Sequence, residues 1–314
     1  MEDYPIDKLL EQAEKAQDSF QPRLAIKFLE RAFQIEQRGE IATQIGTLLV
    51  DTLQLEDTEP SAVHLAVDWL KKAIDIQENF EAYLQLGQLH TGQESVNYYE
   101  KGVGLLGEFL KTVQEKDIYS RQYSTALIAL TEIYMTDLCD EPEAESKCEE
   151  YMKNAVQNDP KNPECYSTLA SVRLSQCRDE EAKQFLEQSM DLWYKEPEED
   201  KVTAVDPSWP IYPSRIALSK FLMEVGLFER ALAALETCQA ENDQDPESWY
   251  LFGFCYLKMS ELEPDNEILK LDAKECLEQV VKLDEKFKMT GEGFVPEELL
   301  EDAICLLNND IEML

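Results

Sequence analysis

The sequence predicts an all-α protein built from one helix pair repeated along the chain. Two observations predict it. Apolar residues recur at i, i+3, i+4 and i+7 almost throughout, period-2 runs are scarce, and 314 residues contain only 11 glycines and 13 prolines. A small-x3-large-x2-small pattern also returns along the chain, each time on one face of a helix. Its small residues let a second helix approach closely, and the large one fills the gap between them.

The units follow in order. The amphipathic opening YPIDKLLEQAEKA leads to Ala25, Leu29 and Ala32. Ala66, Leu70 and Ala73 mark the second unit, which the acidic insertion DTLQLEDTEP lengthens. The third has Tyr83, Leu86, Gly87 and His90 on its first helix and Ser95, Tyr99 and Gly102 on its second, and is shortened at HTGQES. Cys148, Met152 and Ala155 mark the fourth, which carries the insertion DLCDEPEAE. In the fifth, Tyr166, Leu169, Ala170 and Arg173 precede Ala182, Leu186 and Ser189 at a spacing that fits a helix-turn-helix unit without insertion. Ala231, Leu235 and Cys238 mark the sixth. The seventh has Trp249, Phe252, Gly253 and Tyr256, then Ala273, Leu277 and Val280, with SELEPDNE inserted between. Residues 296–308 read as one more amphipathic helix, a cap that closes the last apolar face.

PESWYLFGFCYLK (246–258) with AKECLEQVV (273–281), and NDPKNPECYSTLASVRL (158–174), resemble the tetratricopeptide-repeat family. The resemblance implies a right-handed superhelix, an α-solenoid, of about seven helix pairs plus the C-terminal capping helix. The expected organisation is repeats over 1–203, a Pro-rich connector AVDPSWPIYPSR at 204–215 as a joint, repeats over 216–288, and an acidic capping helix and tail over 289–314.

Charge narrows the function. Acids outnumber bases 65 to 29, giving a net charge of −36. Phosphate backbones and anionic membranes would be repelled, so neither is an expected partner. Eight cysteines without a C-x-x-C pair read as reduced thiols, several of them buried. MEDYPIDKLLEQ lacks the apolar stretch of a secretory leader, so cytoplasm and nucleus are the expected compartments. Of two histidines, His64 and His90, neither has a metal-spaced partner, and His90 falls at a packing position. Gly102-Val-Gly104-Leu-Leu-Gly107 matches G-x-G-x-x-G literally, but it follows a helix rather than a strand, and Gly102 already serves the repeat. Carboxylate pairs abound without one being singled out. No enzyme, metal site, cofactor or small-molecule substrate is expected.

The repeat register assigns a groove. In the family the first helix of each unit lines the concave face, which places Glu14, Asp18, Asp51, Gln88 and Glu132 there, with Lys220, Glu224, Tyr250 and Phe254 farther on. Met135 and Met223 are apolar neighbours. Acids stand where a carboxylate clamp needs cations, and Lys220 and Lys258 alone do not rebuild one. The pattern suits an extended basic peptide, whose cations would pair with carboxylates while their stems pack on the aromatic rings. IYPSRIALSKFLMEVG, ESWYLFGFCYL and the acidic C-terminal helix are similar to a subfamily, the dedicated fungal assembly chaperones of large-subunit ribosomal protein number four. That resemblance implies a holdase for a newly made basic ribosomal protein. A histone chaperone, an acidic scaffold subunit of a larger complex and a heat-shock co-chaperone remain open alternatives.

Overall fold

The computed structural model describes residues 5–55, 60–196 and 205–308. Parts of the DTLQLEDTEP insertion, residues 197–204 and the tail from 309 lie outside this description. The described residues form fifteen helices and no strand. They divide into two compact units, one up to Pro160 and one from Lys161.

The first unit holds four helix pairs. They are α1 (Ile6–Asp18) with α2 (Pro22–Ile35), α3 (Gly39–Leu55) with α4 (Pro60–Ile76), α5 (Phe80–Leu89) with α6 (Gly92–Leu110), and α7 (Lys116–Met135) with α8 (Ala144–Asn158). The second unit holds three pairs: α9 (Pro163–Ser175) with α10 (Asp179–Trp193), α11 (Tyr212–Glu224) with α12 (Phe228–Glu241), and α13 (Pro246–Leu262) with α14 (Glu267–Thr290). A last helix, α15 (Glu297–Leu306), packs on α14 and α13. Inside each unit, helices touch those one or two places away in the chain.

The repeating pattern is the core. Ala25, Leu29 and Ala32 are buried, as are Ala66, Leu70 and Ala73, Ala182, Leu186 and Ser189, Ala231, Leu235 and Cys238, and Ala273, Leu277 and Val280. Close approach explains the small members. A Cβ on Gly87 would lie 2.6 Å from the Tyr99 ring, so the ring rests directly on the α5 backbone. Gly102 belongs to the same packing, because a Cβ there would meet Leu84 at 2.8 Å. The G-x-G-x-x-G match therefore lies inside α6. His90 is half-buried against Tyr98, 4.9 Å between ring centroids, with Nδ1 2.7 Å from Leu86 O. Burial pushes the Cys255 and Cys276 thiols up to about 12, which keeps them protonated as small apolar fillers.

Helix ends are fixed by local chemistry. Asn79, Asn162 and Asp245 cap α5, α9 and α13 by accepting backbone N–H bonds, and Pro163 and Pro246 follow their caps at the first helical turn. At the other end, α1, α9 and α11 close with the same pair of bonds. Phe20, Cys177 and Gly226 take left-handed conformations (φ 54°, 58° and 76°). The N–H of each donates three residues back, to Gln17, Leu174 and Met223, and the next N–H donates five residues back, to Ala16, Arg173 and Leu222.

Beside α11 the connector is anchored. Arg215, 1% exposed, donates to Pro210 O and Thr237 Oγ1, both at 2.9 Å, and pairs with Glu241. Its guanidinium stacks 5.3 Å from the Trp209 ring centroid, and Trp209 packs on Trp193 at 6.3 Å. Tyr212 Oη donates to the cap residue Asp245 at 2.6 Å, tying the start of α11 to the start of α13. Among the described residues, no helix is long and apolar enough to cross a membrane.

Candidate functional site

Each unit carries a groove built on its first helices. In the first unit, a hollow of about 360 Å³ is lined by Gln17 from α1, by Gln44, Thr47, Leu48 and Asp51 from α3, by Glu81, Leu84 and Gln85 from α5, and by Gln122 from α7. Helical spacing explains the recurrence. Residues three, four and seven apart share a face, so Gln44, Leu48 and Asp51 form one row and Glu81, Leu84 and Gln85 another.

Of the residues expected in this groove, Asp51 lines it. Glu14 and Asp18 are exposed on α1 beside Gln17, and Gln88 is exposed on α5 one turn beyond Gln85. Glu132 is exposed on α7 and Met135 half-buried. These five do not line the hollow. Glu132 faces α6 closely enough that its charge adds to burial in pushing the Tyr99 phenol up to about 12. The reading of the register missed Gln17, Gln44, Glu81, Gln85 and Gln122. A row of one glutamine per first helix was the signal available for them.

The groove's electrostatics are unbalanced. Partial burial raises the Asp51 carboxyl above the ordinary carboxylate value. Partial burial raises Glu81 as well, and the neighbouring charge of Glu40 adds to it. Among the described residues, no lysine, arginine or histidine lines the hollow.

In the second unit, a groove of about 400 Å³ is lined by Lys220, Met223 and Glu224 from α11, Phe228 from α12, and Tyr250, Leu251, Phe254 and Lys258 from α13. Here five expected residues, Lys220, Met223, Glu224, Tyr250 and Phe254, converge. Tyr250 and Phe254 stack at 6.3 Å between centroids. The groove is chiefly apolar. Its two lysines are neutralised at home, Lys220 by Glu247 at 2.5 Å and Lys258 by Glu261 at 2.8 Å. Neither is left over to clamp a carboxylate.

A third hollow, of about 460 Å³, lies between α13 and α14 and includes Trp249, Tyr256, Asp272, Glu275 and Glu278. Lys274 and Lys282 already stand 4.0 and 3.8 Å from Glu278. Among the described residues, no group of three or more His, Cys, Asp or Glu side chains could hold a metal ion.

No family model matches the chain. It is 32% identical over 268 residues to a protein of Emericella nidulans described as a probable assembly chaperone of Rpl4, covering 81% of this chain and 65% of that one. It is 34% identical over 208 residues to a protein of Schizosaccharomyces pombe with the same description, covering 66% and 60%. The chain thus spans less than two thirds of the length of these relatives. Among solved structures it is similar to the assembly chaperone of RpL4, with a TM-score of 0.73, 28% identity, and coverage of 84% of this chain and 100% of that one. A tetratricopeptide-repeat protein of Parabacteroides merdae shares the fold at a TM-score of 0.52 and 13% identity.

Proposed function

This chain is a helix-pair repeat protein homologous to the fungal assembly chaperones of Rpl4, and on that premise we propose that it is a dedicated, non-catalytic chaperone of that ribosomal protein. The observation that carries the reading is the similarity to the solved RpL4 chaperone over 84% of this chain. The net charge of −36 supports it, since it suits a strongly basic client.

The mechanism is an exchange of counter-charges. Carboxylates meet the cations of the newly made client as it diffuses in, and long-range attraction speeds that encounter. The apolar groove of the second unit, floored by Tyr250 and Phe254, holds side-chain stems and apolar residues between the cations. Shielded in this way, the client stays soluble from cytoplasm to nucleus. Ribosomal RNA then displaces the chaperone, because a phosphate backbone offers a denser line of negative charge.

Affinity purification from native lysate at low and high salt, with mass-spectrometric identification of the eluate, tests the reading. Near-stoichiometric Rpl4 without ribosomal RNA, reduced at high salt, is the expected result. Histones, or a salt-resistant set of unrelated subunits, would overturn the function and leave the fold untouched.

A further inference from the structure

A net charge of −36 draws in any basic protein, because attraction over a Debye length of about 8–10 Å reads sign and not sequence. What separates one basic client from another must act at short range. The groove of the second unit has the chemistry for that. Met223, Phe228 and Leu251 line it, and Tyr250 and Phe254 complete its apolar floor. The two rings lie one turn apart on α13 with their planes 21° apart, so they form one flat wall. Met223 and Leu251 are buried, whereas both rings are only half-buried and remain accessible from the hollow. The charges of the same lining disfavour a cation on that floor. Lys220 and Lys258 line it too, and the Lys258 ammonium already stands 5.6 Å from the Phe254 ring centroid. Glu224, an exposed member of the lining, meets a cation at the surface instead. A cavity of about 150 Å³ takes a benzene ring, so about 400 Å³ holds one aromatic side chain with part of its neighbours.

We infer that this groove seats one aromatic side chain of the client, laid against Tyr250 and Phe254, with an adjacent arginine or lysine of the client meeting Glu224. The inference rests on the functional reading above and specifies what that site takes. Charge then sets how fast a basic protein arrives, and the ring sets which one stays. An aromatic ring suits the wall better than an aliphatic side chain, because offset or edge contacts between rings add attraction beyond the area they bury. Met223 is soft enough to follow the ring's outline, and thioethers pack well at ring edges. Among the described residues, the first unit's hollow has no aromatic lining residue, so it offers no equivalent wall.

The test titrates the full chain with overlapping peptides of Rpl4 at low and high salt. Every peptide that binds is remade with each aromatic residue replaced in turn by leucine or alanine. One position is expected to lose about tenfold in affinity as alanine and about threefold as leucine. That loss should be equal at both salt concentrations, because an apolar contact is not screened. An arginine beside that position, remade as citrulline, should lose about threefold toward the wild-type chain, less at high salt, and little toward Glu224→Gln. Toward Phe254→Ala the alanine peptide should bind within about twofold of its parent. Phe254→Leu keeps bulk on α13 and removes the flat wall, so it serves where the alanine variant melts early. There the aromatic peptide should lose its advantage over the leucine peptide. Rpl4 peptides in which no aromatic position costs more than about twofold would overturn the ring seat while leaving Rpl4 capture intact. A ring whose loss is unchanged in both Phe254 variants would do the same. A wild-type chain that binds neither Rpl4 nor its peptides would overturn the functional reading and the seat together.

Discussion

A Cβ placed on Gly253 would lie 2.6 Å from Leu277 Cγ and 3.2 Å from the carbonyl oxygen of Ala273. Leu277 thus occupies the space that any larger residue at 253 would need. Gly46 and Leu70 stand in the same relation across α3 and α4, also at 2.6 Å. In these two pairs the spacing between the helices is set by a leucine resting on bare backbone.

Gly253→Ala is therefore expected to destabilise the chain by about 1–3 kcal/mol, the usual range for overfilling a packed interior. Leu277→Ala leaves a cavity and should cost about 2–5 kcal/mol. The double variant should cost less than the sum, because the new methyl enters the space the leucine left. Urea unfolding of the four proteins checks this, and strict additivity would show that the two residues do not share a contact.

Cys177 holds a left-handed backbone that suits glycine, and Gly226 shows the same closure made with glycine. Cys177→Gly should add about 1 kcal/mol of stability. Phe20→Gly should act in the same direction, since Phe20 is 92% exposed and loses little packing. Thermal melts of both variants decide it, and a drop in melting temperature would mean that the side chains contribute more than the backbone strain costs.

Removing Arg215 strips the connector of its anchor. Arg215→Met is expected to cost about 3 kcal/mol, since Thr237, Glu241 and the Pro210 carbonyl each lose a donor. Arg215→Lys should recover only part of this, because an ammonium cannot reach all three acceptors from one position. Denaturant midpoints measure the loss, and tryptophan fluorescence reports whether Trp209 leaves Trp193.

The raised Asp51 carboxyl predicts a pH signature. Its folded pKa lies above the unfolded one, so between the two values the unfolded chain binds fewer protons and stability falls as pH rises. Asparagine does not titrate. Asp51→Asn should melt higher than wild type at neutral pH and lose that advantage as the pH drops through the folded value. A gain that stayed constant with pH would locate its origin outside this charge.

Acids on the first helices should matter more to a basic client than acids elsewhere. Asp51→Lys and Glu224→Lys, which line the two grooves, are expected to weaken Rpl4 binding by about tenfold each, and Glu187→Lys, on the second helix α10, by about threefold or less. Calorimetry at two salt concentrations measures this, and equal losses from all three would sink the groove as the binding surface.

The sequence revealed the architecture because the core is written in it twice, as small and large residues at fixed helical spacing. The second unit's groove was equally legible. No insertion separates Met223 and Glu224 from Tyr250 and Phe254, since SELEPDNE comes only after Phe254, so their register carries over from one helix to the next. In the first unit insertions and a shortened turn break that register, and each residue of error turns a helix by about 100°. Asp18 was expected where Gln17 stands, and Gln88 where Gln85 stands. Nor does any sequence pattern mark Gln85 Oε1 as lacking a partner, because that depends on what the neighbouring helices fail to offer.

Because the main helix contacts among the described residues run between helices one or two places apart, the packing inside a unit is built largely from nearby stretches of chain. The entropy lost in closing each hairpin is small, and topologies of this kind fold quickly. A helix pair can be complete while the residues after it are still being translated. The earliest pairs, including those that form the unbalanced groove, are then in place before synthesis ends, and a freshly made molecule needs little maturation time before its first encounter.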